Sequence, residues 1–429
     1  MKIKTLLATV VLLLSAQHIM CDTLAAQNFI KKITMEGGPS IVRTIDKSHW
    51  LTYCENRKGR KDFYIVPQSG TVVDNMQIND QTIHISDFVI LSDTVYFCGK
   101  QDQGDSPVAV MGCFSIAGAQ FGPVIYELFP EALSFNAIDV FRLEGHIYAV
   151  VTATALSGLE TKADIRHLSG NYWECNIVEP NFGAWTFDDV AVTARQIIYT
   201  SRAGKDNKNK SRIWFIDRPA IYGTSVFLSP IPYNEFSLPY LAGKMLVSDA
   251  GGGWFFTVAP TLSGTVLMHR YAMSSYLASV EFNGIGNFTV NDITYAFWPN
   301  IAEVLVATDM GGTADSRIYH IPGTAFERST TADIHLYSGY EIHSLDVADE
   351  LDSLFVASGR DFIYDEHHVF RHKLNNYKCA ENEWTILDMK DYSIKDEEID
   401  ILTRNKIHKM IYTGHNVMTI ELTTMCGNQ

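Results

Sequence analysis

The chain has 429 residues, 46% of them hydrophobic, 12% aromatic and 19% charged. That balance excludes a disordered or collagen-like protein, and the aromatic share favours β structure. A net charge of −15, with no run of Lys or Arg to offset it, argues against a nucleic-acid partner, because phosphate recognition rests on clustered basic side chains.

Lys2 and Lys4 followed by the apolar run Leu6 to Leu14 read as an export signal over residues 1–21, since the run is too short to span a bilayer. Residues 22–429 are then the working chain, expected in the periplasm, at the cell surface or outside the cell. Cys21 offers a second expectation, a lipid anchor, although His18-Ile19-Met20 lacks the small residues such a site needs. No later stretch reaches 18 apolar residues, so no membrane insertion is expected. Six further cysteines do not make a disulfide scaffold; Cys98 and Cys113 fall on neighbouring apolar runs and read either as a cross-strand bridge or as buried thiols.

Taken in order, one motif recurs eight times, a short apolar run ending in small or polar residues: at Leu51, Val95, Ile147, Ile197, Trp254, Val304, Leu354 and Met410. Successive starts are 44, 52, 50, 57, 50, 50 and 56 residues apart, a period of about 51. Within each unit an inner strand precedes the marker run, and a third and a fourth strand follow it. The Ser211-Arg-Ile-Trp and Ser316-Arg-Ile-Tyr segments are the clearest repeated third strands. Phe29 to Thr34 forms an orphan strand ahead of the first unit, while the last unit runs out at Val417 to Leu422. Pairing of these two segments would close the ring and leave no open sheet edge.

Four short strands per repeat of about 50 residues resemble the β-propeller superfamily over essentially the whole of 22–429. The expected fold is all-β, a single closed propeller of eight four-stranded blades, with seven as the alternative. The chain lacks the Trp-Asp pair of WD repeats, the paired glycines of kelch repeats and the Asp turn of sialidases, so the resemblance stops at the fold and carries no activity.

Alternating strand direction places the second-to-third loops and the fourth-to-first connections on one face. The second-to-third loops are long and polar, which marks that face as the working one. A column of acids stands at the entrances to the inner strands: Asp87, Asp139, Asp189, Asp292 and Glu398. Carboxylates ringing a channel mouth would hold a polar ligand or a cation such as calcium; as scaffold, they would instead cap backbone N–H groups. Trp185 and Tyr240 lie in fourth-to-first connections, where an indole or phenol would stack on a sugar or anchor its loop. Trp50, Trp214 and Trp254 sit inside strands and read as core. His367 and His368 read as a polar segment running onto an outer-strand surface.

No nucleophile elbow, phosphate loop or dinucleotide fingerprint is present, so no cofactor is expected. The leading expectation is a monomeric, exported, non-catalytic protein that binds a glycan, peptide or protein through its long-loop face. The alternative is a hydrolase or lyase using channel-mouth carboxylates as acid and base.

Overall fold

The computed structural model describes residues 29–36, most of 40–373 and three strands within 398–423. The export signal, Cys21 and Tyr240 lie outside the described residues. A leading strand, β1 (Phe29–Glu36), precedes six complete four-stranded antiparallel sheets. Blade 1 is β2 (Ser40–Asp46), β3 (His49–Glu55), β4 (Lys61–Pro67) and β5 (Asp74–Gln77). Blade 2 is β6 (Ile83–Leu91), β7 (Thr94–Gln103), β8 (Ser106–Ser115) and β9 (Ile125–Phe129). Blade 3 follows as β10 (Ala132–Leu143), β11 (His146–Ala155), β12 (Thr161–Ser169) and β13 (Tyr172–Ile177). Blade 4 comprises β14 (Trp185–Val192), β15 (Gln196–Ala203), β16 (Ser211–Asp217) and β17 (Ile231–Phe236). Blade 5 holds β18 (Leu246–Asp249), β19 (Trp254–Pro260), β20 (Thr265–Ala272) and β21 (Ser275–Asn283). Blade 6 holds β22 (Thr289–Trp298), β23 (Ile301–Asp309), β24 (Asp315–Pro322) and β25 (Asp333–Ser338).

Blade 7 departs from the expected closure. Its own strands are β26 (Tyr340–Asp349), β27 (Leu354–Asp361) and β28 (Glu366–Lys373), and β1 supplies the fourth, pairing antiparallel with β28 at Phe29↔Phe370 and Ile33↔His367. Phe29 to Thr34 therefore closes against residues 366–373 and not against 417–422. The last marker run does lie in a strand, but in a separate three-stranded sheet of β29 (Glu398–Leu402), β30 (Lys406–Ile411) and β31 (Thr419–Thr423).

The apolar core shows how the sheets are ordered. Strand alternation sends successive side chains to opposite faces of a sheet, so each blade feeds two seams. In β7, Phe97 joins a cluster with Leu51, Tyr53 and Phe63 of blade 1, whereas Tyr96 and Cys98 join one with Phe135 and Val151 of blade 3. Further clusters fill the seams from blade 3 to 4, 4 to 5, 5 to 6 and 6 to 7. A last cluster packs Val356 and Val369 of blade 7 against Val42 and Trp50 of blade 1, and β2 lies directly beside β26. Among the described residues these seams link seven four-stranded sheets, and an eighth sheet has three strands.

Aromatic rings carry much of this packing. Phe63 meets Phe88 and Phe114 edge-on at 5.4 and 4.9 Å across the first seam, each buried Phe contributing about 1.5–3 kcal/mol. Trp50 and Trp214 are buried, but Trp254 is exposed, with the Arg270 guanidinium over its ring at 4.2 Å. His367 and His368 are buried as well, His367 against the Glu55 carbonyl of blade 1 and His368 beside the Tyr340 ring. Cys54, Cys98 and Cys113 are free thiols; Cys113 faces Tyr96 in the register and Cys98 faces Met111, so no bridge forms. No helix among the described residues is long and apolar enough to cross a membrane.

Candidate functional site

The inner strands enclose a cavity of about 1260 Å³. Four of the expected site residues, Asp87, Asp139, Asp189 and Asp292, line it. Trp185 opens β14 opposite Ala203, and Glu398 opens β29 in the three-stranded sheet.

The acids act between blades. Oδ1 of Asp87 accepts the Phe88 N–H of its own strand (2.8 Å), and Oδ2 accepts the Ile138 N–H of blade 3 (3.2 Å). Asp139 repeats the pattern with Val140 (2.7 Å) and Val192 of blade 4 (2.6 Å), and Asp189 with Val190 and Val247 of blade 5. Asp292 takes Ile293 and Leu345 of blade 7. Asp346, which the sequence reading did not single out, takes Val347 and Thr44 of blade 1. Each carboxylate thus clamps the next inner strand through a charge-assisted bond to a main-chain amide. Asp87, Asp139, Asp189 and Asp292 therefore cap main-chain N–H groups, one in their own strand and one across the seam.

A second unanticipated residue, Arg43 of β2, bridges these acids. Its guanidinium donates to Asp87 at 3.1 Å, to Asp292 at 3.3 Å and to Ser344 Oγ at 2.8 Å, tying blades 1, 2, 6 and 7 together. Burial opposes the Arg43 charge, but the charges of Asp292, Asp87 and Asp346 outweigh it and raise its pKa above the usual arginine value. Burial outweighs that cation at Asp87 and Asp346, whose carboxyls are raised, and it acts without the cation's opposition at Asp139 and Asp189. It drives the carboxyls of Asp139 and Asp189 up to about 7, against the pull of the amides they accept.

Above the acids, five inner strands carry a register shift just before the clamp: between Ile85/Asp87, Phe135/Ala137, Phe187/Asp189, Val290/Asp292 and Ile342/Ser344. The extra residue is polar each time, Ser86, Asn136, Asp188, Asn291 and His343, and all five line the cavity. A bulge re-aims the side chain it carries, which is how one polar group per strand comes to face the cavity wall. Several add a second tier of inter-blade bonds. Asp188 holds Arg202 through two bonds (2.6 and 2.7 Å) and accepts the Met245 N–H; Asn291 donates to the Ile342 carbonyl; Ser40 Oγ lies 3.0 Å from His343 Nδ1.

The mouth between blades 1 and 2 is built differently. Glu55, at the end of β3, receives the Tyr53 hydroxyl at 3.2 Å and faces His84 Nδ1 at 2.8 Å; Asp102 of β7 faces His84 Nε2 at 2.9 Å. Gly99 lets this happen. A Cβ there would run into the His84 carbonyl, just as one on Gly359 would meet the carbonyl of Glu341 at the blade 7 mouth.

Among the described residues, no three His, Cys, Asp or Glu side chains converge as a metal-ligand group. The lining holds nine carboxylates against four Lys or Arg, and no Phe, Tyr or Trp among the described residues.

No family model and no curated sequence matches the chain. Among solved structures it is similar to a chain from a study of two prolyl endopeptidases, at 9% identity and a TM-score of 0.47, covering 83% of this chain and 51% of that one. It is also similar to the Dos1 propeller (8% identity, TM-score 0.45, 75% of this chain and 74% of that one). A third is prolyl oligopeptidase B from Galerina marginata (9% identity, TM-score 0.44, 84% and 53%). The chain spans about half the length of the two prolyl peptidases. Its cycle of four-stranded antiparallel sheets, each packed through an apolar seam on the next, makes the chain a β-propeller.

Proposed function

We propose that the protein is an exported, monomeric binding protein, a single closed propeller of seven blades that captures a ligand in the cavity on its long-loop face without transforming it. The observation that carries this reading is the cavity lining, where five bulges each turn one polar side chain inward above a tier of acids. Those acids are committed to the scaffold. Each spends its two oxygens on two main-chain amides, so these acids are occupied as scaffold, which weighs against the hydrolase or lyase reading in which they serve as acid and base.

Ligand class follows from the charge of the lining. An excess of carboxylates inside a low-dielectric cleft raises the local concentration of cations. With no described aromatic face for a sugar to stack on, a peptide or protein segment bearing Lys or Arg fits better than a glycan. The Lys2, Lys4 and Leu6 to Leu14 pattern supports export. The reading is tested by equilibrium binding to arrays of basic, acidic and neutral peptides and of glycans, with product analysis of each incubation. Basic peptides should bind, more weakly as salt rises, and emerge intact. Turnover of any array member, or retention of glycans alone, would overturn it.

A further inference from the structure

His84 stands out among the cavity-wall residues because both its ring nitrogens face carboxylates from two blades. Nδ1 lies 2.8 Å from Glu55 Oε1 and Nε2 lies 2.9 Å from Asp102 Oδ2. A carboxylate only accepts, so both contacts are hydrogen bonds only when the ring carries two protons. Other groups complete the setting. Lys61 Nζ of β4 lies 3.4 Å from the same Nε2, and Lys100 lies 3.7 Å from Asp102. Tyr53 donates to the second oxygen of Glu55, while His367 Nε2, 3.0 Å away, holds the Glu55 carbonyl from blade 7. Asp80 stands beyond, accepting from Thr82 and Gln101.

Glu55 is therefore fixed on three sides, with its side chain only 14% exposed, whereas Asp102 is 52% exposed and its firmest side-chain partner is His84. Lys61 is buried. When the ring loses its second proton, the proton that stays is the one between Nδ1 and the immobile Glu55. Nε2 then offers a lone pair, which repels Asp102 and suits the Lys61 ammonium.

We propose that His84 is a proton-controlled latch at the mouth of the cavity: as an imidazolium it ties Asp102, at the end of β7, to Glu55 of blade 1, and as a neutral ring it trades Asp102 for Lys61 and releases that edge of the wall. The latch does not depend on what the cavity binds. Its moving part is the end of β7 leading into the second-to-third loop of blade 2, on the long-loop face. Protonation changes the hydrogen-bond geometry of a group already in place, so no rearrangement of the blades is required.

Nitrogen-15 NMR of the imidazole, recorded on the whole chain against pH, reports the protonation of His84. Amide exchange in the same samples, expressed as protection relative to intrinsic rates, reports the latch. The Asp102 N–H, which donates to the Thr82 carbonyl at 2.9 Å, should lose about tenfold in protection as His84 gives up its second proton. The Leu345 N–H, held by Asp292, should show no such step. In His84→Gln, Asp102 protection should no longer follow that titration. Asp102→Asn serves if the Gln variant does not fold; removing one of the two carboxylates should lower the pH at which His84 deprotonates. The proposal is overturned by a ring that holds one proton at every pH at which the fold stands. Asp102 protection that parallels Leu345 through the titration, or a His84 titration unchanged by Asp102→Asn, would overturn it equally.

Discussion

Beside the apolar clusters, two kinds of polar contact are described at the blade seams, and the seam from blade 5 to 6 is described by its apolar cluster alone. At the seams from blade 2 to 3, 3 to 4, 4 to 5, 6 to 7 and 7 to 1, an aspartate on one inner strand clamps a main-chain amide of the next. From blade 1 to 2 the inner-strand position belongs to Arg43, and the seam is held by side-chain pairs: Arg43 with Asp87, Glu55 with His84, and the Tyr53 hydroxyl accepting the Ile85 N–H at 3.4 Å. An amide clamp has one titrating partner and a fixed donor. An ion pair has two charged partners and depends on both. The clamps recur at five seams, whereas the side-chain pairs are gathered at the seam between blades 1 and 2.

The sharpest way to break the contrast is Arg43→Ala. It leaves Asp87 and Asp292 facing each other in the cavity wall without their shared cation, and denaturant unfolding should show a loss of about 3–5 kcal/mol. A loss under 1 kcal/mol would mean that the guanidinium is dispensable to the ring.

Next in size is Asp346→Ala, which strands the Thr44 and Val347 amides and should cost about 2–3 kcal/mol by the same measurement. Asp346→Asn keeps one acceptor but turns an NH2 group toward the other amide, so it should recover only part of that loss. Full recovery would show that only one of the two bonds matters.

A smaller effect separates the clamps from one another. Asp139 and Asp189 titrate at about 7 in the fold, above the usual carboxylate value, so the native state binds their protons more tightly than the unfolded chain does. Their contribution is fully present below about pH 4 and is lost as pH rises through about 7. The wild-type melting temperature should therefore fall between pH 5 and 8 more steeply than that of Asp139→Asn/Asp189→Asn. Identical slopes would place the pH dependence elsewhere.

The smallest expected effect is a null. Because the acids spend their oxygens on amides, millimolar calcium or a chelator should leave the melting temperature of the wild type and of the double Asn variant unchanged. A rise confined to the wild type would restore a cation to the column.

The acid column itself was legible. Asp139-Val140, Asp189-Val190 and Asp292-Ile293 share an Asp before an apolar residue, and Asp346-Val347 carries the same signal. The bulge residues were harder to see, since a bulge is a property of strand pairing. Even so, Ser86-Asp87, Asp188-Asp189 and Asn291-Asp292 all set a polar residue before the clamp. Arg43 left no trace, because a single cation answering acids on other blades forms no repeat.

Periodicity alone determined that this is a propeller of four-stranded units, since apolar spacing and strand length follow from residues close together in the chain. Which unit Phe29 to Thr34 completes was decided by tertiary structure. Phe29 to Thr34 has an edge to fill in any three-stranded unit, and local sequence does not distinguish residues 366–373 from 417–422 as its partner. The choice rests on contacts between segments more than 300 residues apart: Val42 and Trp50 packed on Val356 and Val369, and the Thr44 amide on Asp346. The eighth marker run lies in a three-stranded sheet with which β1 does not pair.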